Sequence, residues 1–266
     1  AEAHVYYYEL GDIATLAGAQ PRPIVGNRGV ITAAQLKAAV REPNIHYPIP
    51  RLLCIENTHN RAGGTCWSPA QVAEISDAAH ALGLKVHLDG ARIFNAAVAQ
   101  GVSVAELAAP VDSVMFCISK GLGAPVGSLV VGNRDWITAV RRERKRLGGG
   151  MRQAGILAAA GLFALRNNIE RLADDHANAH FLAEKLGGID GLAVDMAQVQ
   201  TNMVMVNVAG TGLTAAEVSR ALASHGVLAN PNNRDALRLV THLDVDRSDC
   251  ERAVTPFASI TSTTVV

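Results

Sequence analysis

Three short apolar runs, separated by segments with helical spacing, constrain the fold of the first half of the chain. The runs cover residues 51–55, 85–89 and 113–118, and residues 69–82 carry apolar side chains three and four positions apart. This alternation of strands and helices predicts an α/β fold with a mostly parallel sheet and helices on both faces. A fourth run at 128–132 follows too short a connection for a crossover, so we expect it to pair antiparallel.

The second half of the chain has a different pattern. A long helix is predicted from about 153 to 186, with a break near Asn167, and a small α+β domain follows it. The predicted strands and helices of that domain are 204–208, 215–225, 227–229, 237–241 and 246–258. We therefore divide the chain into a large domain at residues 1–150 and a linking helix with a small C-terminal domain at residues 151–266.

The first residues have the composition of a domain interior. The chain begins with Ala1 rather than Met, and residues 3–9 already have the aromatic and β-branched composition of a strand. We therefore expect the N-terminal part of the large domain to be absent from this sequence and to precede Ala1 in the natural protein.

Composition narrows the classes of partner. The 266 residues carry 24 basic and 24 acidic side chains, so the formal net charge of zero argues against nucleic acid. The one basic run, residues 141–146, is typical of a solvated helix face. No run is long and apolar enough to span a bilayer, so no membrane partner is expected. The four cysteines form no CxxC pair and two lie in apolar runs, which favours a cytoplasmic protein.

Lys120 stands at the end of the third apolar run, directly before a glycine-rich turn at residues 121–127. In a parallel sheet this position is the carboxyl edge, where α/β proteins bind ligands. An amine kept neutral there by burial and nearby cations can act as a covalent catalyst. The alternative is a lysine that snorkels from a strand end to solvent. Asp89, which ends the preceding run, favours the first interpretation, because the two side chains could hold opposite ends of one aromatic cofactor.

These residue types together indicate pyridoxal phosphate. A lysine that forms an imine needs an electron sink for carbanion chemistry, and this cofactor is such a sink. Its ring nitrogen must stay protonated, which an aspartate such as Asp89 ensures by charge pairing. A substrate carboxylate fits an arginine, because the guanidinium group donates two parallel hydrogen bonds, and Arg92 and Arg238 are the candidates.

A polar stretch, residues 56–60, follows the first apolar run and contains His59. The stretch is either a polar turn or part of a site at the carboxyl edge of the sheet. His4, taken alone, is typical of a satisfied polar group. A metal ion bound by His87, Asp89 and His59 is a further alternative. The pairing of lysine with aspartate explains more residues, so we expect no metal site.

Five motifs carry a resemblance that covers nearly the whole chain. They are Glu-Asn-Thr-His-Asn at 56–60, His-Leu-Asp-Gly-Ala-Arg-Ile-Phe-Asn at 87–95, Ser-Lys-Gly-Leu-Gly-Ala-Pro-Val-Gly-Ser at 119–128, Gly-Gly-Gly-Met-Arg-Gln at 148–153 and Leu-Arg-Leu-Val-Thr-His at 237–242. In this order they resemble the threonine aldolase family, which belongs to the aspartate aminotransferase superfamily of pyridoxal phosphate enzymes, fold type I. The resemblance implies the fold of that superfamily and a homotetramer built as a dimer of dimers.

The resemblance also implies which residues hold the cofactor. Lys120 would form the covalent imine, and Asp89 would pair with the pyridinium nitrogen. His4 would stack on the cofactor ring, and Arg152 would lie near the cofactor, on the side of its phosphate. The phosphate-binding Ser-Gly-Thr-type turn of the family, which lies upstream of the stacking histidine, has no counterpart in this sequence.

For the substrate, the family implies that Arg92 and Arg238 hold the carboxylate of the amino acid. His59 would handle the proton of the β-hydroxyl group, directly or through water. The expected reaction is the retro-aldol cleavage of L-threonine or L-allo-threonine, and of related β-hydroxy-α-amino acids, to glycine and an aldehyde. Two alternatives remain: another fold-type-I enzyme, such as a β-eliminating lyase or an aminotransferase, or a truncated fragment without catalytic activity.

Overall fold

The structure, a computed structural model, describes residues 1–262. The chain divides into two compact units, one formed by residues 1–60 and 66–169 and the other by residues 61–65 together with residue 170 onward. Within the described residues no helix has the length and apolar character needed to cross a membrane.

The first unit contains the predicted mixed sheet. Its elements are α1 (His4–Tyr7), α2 (Asp12–Thr15), α3 (Ala33–Ala39), β1 (Leu52–Glu56), α4 (Pro69–Ala81), β2 (Lys85–Asp89), α5 (Ile93–Gln100), α6 (Val104–Ala108), β3 (Ser113–Cys117), β4 (Ser128–Gly132), α7 (Arg134–Arg146) and α8 (Gly155–Asn167). The strands lie in the order β1-β2-β3-β4. The first two pairings are parallel and the last is antiparallel, which confirms the predicted α/β class.

Local signals in the sequence fix where the helices begin and end. The side chain of Ser68 accepts a hydrogen bond from the Gln71 amide, and the Gln71 side chain accepts one from Ser68 in return. Such a capping box satisfies two backbone donors that α4 leaves free at its start. Gly83, at φ +74°, ends the helix in the left-handed region. Leu82, predicted on the buried face, is at the C-cap position and is exposed, because the helix has already ended there.

The pleat of the sheet separates an apolar face from a polar one. Leu53, Ile55, Val86 and Leu88 are buried and pack into one core with α4, α5 and α6. Successive side chains of a strand point to opposite faces. The remaining positions therefore form a second face, which carries Cys54, Glu56, His87, Asp89, Ser113, Met115 and Cys117.

Residues 3–9 do not form the predicted strand. They contain the short helix α1, in which the Tyr7 amide donates to the Ala3 carbonyl at 2.9 Å and the Tyr8 amide donates to His4 at 3.0 Å. Aromatic residues favour strands only where a neighbouring strand or a packed face receives them. Here the three tyrosine rings are exposed and the backbone donors are satisfied within the helix.

The second unit is a small α+β structure. Its elements are α9 (Leu172–Gly187), β5 (Ala193–Val194), β6 (Met203–Asn207), α10 (Ala215–Ala223), β7 (Asn230–Pro231), β8 (Ala236–Val240) and α11 (Arg247–Ser262). Its antiparallel sheet has the order β5-β6-β8-β7. The strand predicted at 227–229 is wrong, because pairing with β8 starts only at Asn230. The Val227 amide instead donates to Leu222 at the end of α10.

The predicted break in the long helix is confirmed, since α8 ends at Asn167 and α9 starts at Leu172. The division between the compact units falls at residue 169, about one helix later than the predicted domain boundary at 150. The reason is that α8 packs on the first unit. The Asn168 side-chain amide donates to the Leu122 carbonyl at 2.7 Å, and a β-carbon on Gly161 would lie 2.8 Å from Cδ1 of Ile118.

Asp112 ties three elements together at the amino edge of the first sheet. Its carboxylate accepts hydrogen bonds from the Lys85 ammonium and the Val86 amide, both at 2.8 Å. Nε2 of His80, in α4, lies 2.8 Å from the same carboxylate. Partial burial opposes ionisation, but the bonds from Lys85, Val86 and His80 outweigh it and lower the pKa of Asp112 to about 2.

We expect Asp112→Asn to lower the free energy of unfolding by about 1 kcal/mol at pH 7, an estimate that allows for solvent screening. The wild-type advantage should be complete above the unfolded-state pKa of about 4 and should disappear as the pH falls towards 2. Urea unfolding at several pH values measures it. Asp77→Asn, an exposed change in α4, is the control, and an unchanged free energy for Asp112→Asn at pH 7 would refute the role.

Candidate active site

The polar residues predicted to form a site lie at the carboxyl edge of the parallel strands. Glu56, the last residue of β1, is the register partner of Asp89, the last residue of β2. The Asn57 amide donates to the Asp89 carbonyl at 2.9 Å and extends the ladder by one bond. Asp89 is in turn the register partner of Met115 in β3. Lys120 follows β3 by three residues, so parallel pairing brings the three segments to one edge.

Lys120 lies in a compact turn after β3. The Gly123 amide donates to the Lys120 carbonyl at 2.9 Å, and the Ile118 amide donates to Gly127 at 3.0 Å. Within residues 1–262 the Lys120 ammonium has no hydrogen-bond or ion-pair partner, and the side chain is exposed. Burial therefore does not act on this amine in the structure. The turn holds the Lys120 backbone in place and leaves the amine without a partner among residues 1–262.

Asp89 is half-buried beside two groups that respond to its charge. Its Oδ1 atom accepts a hydrogen bond from the Ala91 amide at 3.0 Å, which orients the carboxylate. Burial, helped by the Asp89 charge, raises the pKa of the Cys54 thiol to about 11. Burial lowers the pKa of His87, and the Asp89 charge opposes that change. Asp89 thus places its negative charge beside a partly buried thiol and a partly buried imidazole.

His87 contacts the neighbouring strand. Its Nδ1 atom lies 2.8 Å from the Ser113 hydroxyl oxygen on the neighbouring strand. Among residues 1–262, no group of three or more His, Cys, Asp or Glu side chains is arranged to hold a metal ion.

His59 is buried, with 4% of its surface exposed, in the loop after β1. Burial lowers its pKa, and the negative charge of Glu56 opposes that change. The ring lies against Gly29, where a β-carbon would be 2.3 Å from the His59 Cγ atom. A histidine with a lowered pKa is neutral at physiological pH, so it can accept a proton.

Asn57 fixes the start of the loop that carries His59. Its side-chain amide donates to the Trp67 carbonyl at 3.1 Å, and the Trp67 amide donates back to its Oδ1 atom at 3.2 Å. Both residues are almost fully buried. The next hydroxyl oxygen, Oγ1 of Thr58, is buried without a hydrogen-bond partner among the described residues. The loop is therefore rigid at its base and keeps one unsatisfied polar group.

Glu56 is a site residue that the sequence analysis missed. It is 4% exposed, and each carboxylate oxygen accepts one backbone hydrogen bond, from His4 at 2.5 Å and from Asn60 at 2.8 Å. The His4 ring packs 4.8 Å from the Tyr8 ring and its Nε2 atom lies 2.6 Å from Glu9. A carboxylate as the last residue of a buried strand is the signal that could have identified it.

The three predicted arginines lie in different surroundings. The Arg92 guanidinium donates to the Asn60 side chain at 3.5 Å, so it belongs to the same cluster as Glu56. Arg152 is exposed, in the segment between α7 and α8, and has no ion pair within the described part of the chain. Arg238 lies on β8 of the second unit, half-buried between Leu237 and Leu239 in sequence.

Comparison with known proteins identifies the family. The profile of the beta-eliminating lyase family matches residues 1–209. Low-specificity L-threonine aldolase 1 of Arabidopsis thaliana is 41% identical over 258 residues, which cover 96% of this chain and 72% of that protein. The low specificity L-threonine aldolase of Escherichia coli K12 is 43% identical over 246 residues, 92% of this chain and 71% of that enzyme. This chain belongs to the threonine aldolase family.

Solved structures confirm the fold of the family. A putative L-allo-threonine aldolase from Listeria monocytogenes superposes with a TM-score of 0.80 at 20% identity, covering 97% of this chain and 73% of that one. The threonine aldolase of Leishmania major gives 0.79 at 20% identity, with 98% and 75% covered. The predicted fold type I is therefore confirmed, and the chain is a lyase by family.

We expect Gly29→Ala to disturb the His59 ring. Both Gly29 and Gly18 have positive φ, at +83° and +60°, but a β-carbon meets nothing within 4 Å at Gly18. Gly18→Ala should therefore cost about 1 kcal/mol of backbone strain. Gly29→Ala should cost about 2 kcal/mol more, because the methyl group overlaps the ring. Urea unfolding and the imidazole NMR signal of His59 test this, and equal effects of the two changes would contradict the contact.

Proposed function

We propose that this chain is a threonine aldolase, which cleaves L-threonine, L-allo-threonine and related β-hydroxy-α-amino acids to glycine and an aldehyde. The observation that carries the proposal is the buried His59, held at the same sheet edge as Asp89. Two relatives that are more than 40% identical to this chain over the aligned residues bear the name low-specificity L-threonine aldolase. An aminotransferase needs no base at a β-hydroxyl group, so the histidine favours aldol cleavage.

We propose pyridoxal phosphate as the cofactor, and the donor set of the site fits it. The amine of Lys120 has no partner within residues 1–262 and is available for a covalent bond to an aldehyde. Asp89 is oriented by the Ala91 amide and can hold the proton of a ring nitrogen. His4 would cover the ring and Arg152 would approach the phosphate. When bound, this cofactor provides an electron sink for the electron pair released as the Cα–Cβ bond breaks.

The protein groups bind the substrate and move its protons. Arg92, beside Asn60, would bind the substrate carboxylate with its two parallel donors. The family resemblance implies Arg238 as a second residue for that carboxylate. His59, neutral because burial lowers its pKa, would accept the proton of the β-hydroxyl oxygen while the Cα–Cβ bond breaks. The hydroxyl oxygen then becomes the carbonyl oxygen of the aldehyde. A proton returned to Cα completes the glycine product.

We further propose a homotetramer in the cytoplasm. The edge strand β4 exposes Leu129, Val130 and Val131, and α8 exposes Ile156 and Phe163. Exposed apolar side chains in such number favour burial against another protein surface. All four cysteines are free, which suits a reducing compartment. Sedimentation equilibrium, which gives the mass of the assembly, tests the oligomeric state.

The purified protein should be yellow, and borohydride should fix the cofactor to the peptide that contains Lys120. The reason is that the covalent bond to the amine, once reduced, no longer exchanges. Peptide mass mapping identifies the labelled residue. Lys120→Ala should abolish the label, whereas Lys37→Ala, an exposed lysine of α3, should leave it unchanged. A label on another lysine would refute the assignment.

We expect His59→Asn to slow threonine cleavage by about 100-fold or more, the size of effect that general-base catalysis produces. The exchange of the α-proton of glycine should persist within a few-fold, because glycine has no β-hydroxyl group. Both rates are measured on the same preparation, with the exposed His46→Asn as control. Equal losses in the two reactions would indicate a damaged site, and normal cleavage would remove His59 from the proton transfer.

A further inference from the structure

The Glu56 side chain accepts hydrogen bonds from two separate segments of the chain. It is buried at the end of β1, and its two carboxylate oxygens are used separately. Oε2 accepts the His4 amide, which comes from a segment 52 residues earlier, and Oε1 accepts the Asn60 amide four residues later. A buried carboxylate is costly unless charge-assisted hydrogen bonds compensate it. Both compensating donors belong to segments that carry a histidine of the candidate site.

The hydrogen bonds of Glu56 therefore fix two histidines at once. His4 is itself the donor of one bond, and His59 directly precedes the donor of the other. The side-chain oxygen of Asn60 also accepts a hydrogen bond from Arg92 at 3.5 Å, so Asn60 links Glu56 to the predicted carboxylate-binding residue. Removing the carboxylate would leave two partly buried amide groups without their acceptors, and such a loss costs more than the bonds themselves contribute.

The charge of Glu56 acts on His59 as well. Three carboxylates act on the imidazole, those of Glu56, Glu2 and Asp89, and each favours its protonated form. Glu56 has the largest effect of these charged groups, second only to burial itself. An imidazole that accepts a proton becomes a cation, and a fixed carboxylate beside it stabilises that cation without taking the proton.

We propose that Glu56 is a positioning residue of the active site, which holds His4 and the His59 loop in place and keeps a negative charge beside the imidazole. Its catalytic consequence rests on the proposed function. In the cleavage step the β-hydroxyl proton moves to the His59 imidazole, and Glu56 remains ionised throughout. Its part is to orient the base and to stabilise the imidazolium that forms.

The test compares Glu56→Gln with Glu106→Gln. Glutamine keeps the size of the side chain but removes the charge and one of the two acceptor oxygens. Glu106 is an exposed capping residue of α6, so its substitution makes the same chemical change away from the site. NMR of the histidine-labelled protein, purified with its cofactor, measures the His59 pKa directly. We expect that pKa to fall in Glu56→Gln and to stay at the wild-type value in Glu106→Gln.

Kinetics provide the second readout. In Glu56→Gln the acidic limb of the kcat/KM profile for threonine should move to lower pH, and the value at the plateau should fall about tenfold because the base is misplaced. A merely structural residue would lower the plateau without moving the limb. An unchanged His59 pKa in a folded Glu56→Gln protein would overturn the inference. Absence of threonine cleavage in the wild type would instead overturn the proposed function and leave the NMR result standing.

A measurement on the wild-type protein tests the role of Glu56 even if Glu56→Gln does not fold. The 13C signal of the Glu56 carboxyl carbon in the wild-type protein should show a step at the pH where His59 titrates. That step should be absent in His59→Asn and present in His46→Asn. A wild-type carboxyl signal without any step at that pH would overturn the proposal.

Discussion

Parallel pairing of β1, β2 and β3 is the constraint on which the candidate site depends. Parallel strands need a crossover between them, so each strand must be followed by a loop and a helix before the chain returns. All three strand ends therefore face the same edge, and residues more than sixty positions apart in sequence, such as Glu56 and Lys120, belong to one cluster of loops. The antiparallel β4 closes this arrangement and leaves the turn of Lys120 between two paired strands.

Two carboxylates, Glu56 and Asp89, lie at that edge of the sheet, and Glu56 is buried. Glu56 and Asp89 are neighbours in register, and two carboxylates so placed would repel each other unless backbone amides compensated each of them. The amides of His4, Asn60 and Ala91 do so. The resulting field opposes the effect of burial on the His59 pKa. The proton affinity of His59 is thus set by two opposing effects: desolvation lowers it, and the nearby carboxylate charges raise it.

The sequence was a good guide where local pattern and tertiary surroundings agree. β2 has the predicted bounds, because the alternation of apolar and polar residues specifies this strand locally. Residues 3–9 and 227–229 were misjudged because strand-like composition does not reveal whether a partner strand exists. Glu56 was overlooked for a related reason: its hydrogen bond to His4 spans 52 residues, and no local pattern records it. The order of the motifs predicted the family. The contacts that hold the motif residues in place could be identified only from the structure.

Residues 61–65, which directly follow the His59 loop, belong to the second compact unit. The Ala62 carbonyl accepts a hydrogen bond from Gln198, 136 positions later, and the Gly64 carbonyl accepts one from Thr201, 137 positions later. During synthesis on the ribosome this five-residue segment emerges long before either partner. Contacts of such sequence separation form slowly. Residues 61–65 are therefore synthesised before the rest of the second unit but can join it only after residues 198 and 201 have been made. A fragment that starts at residue 170 would lack this segment.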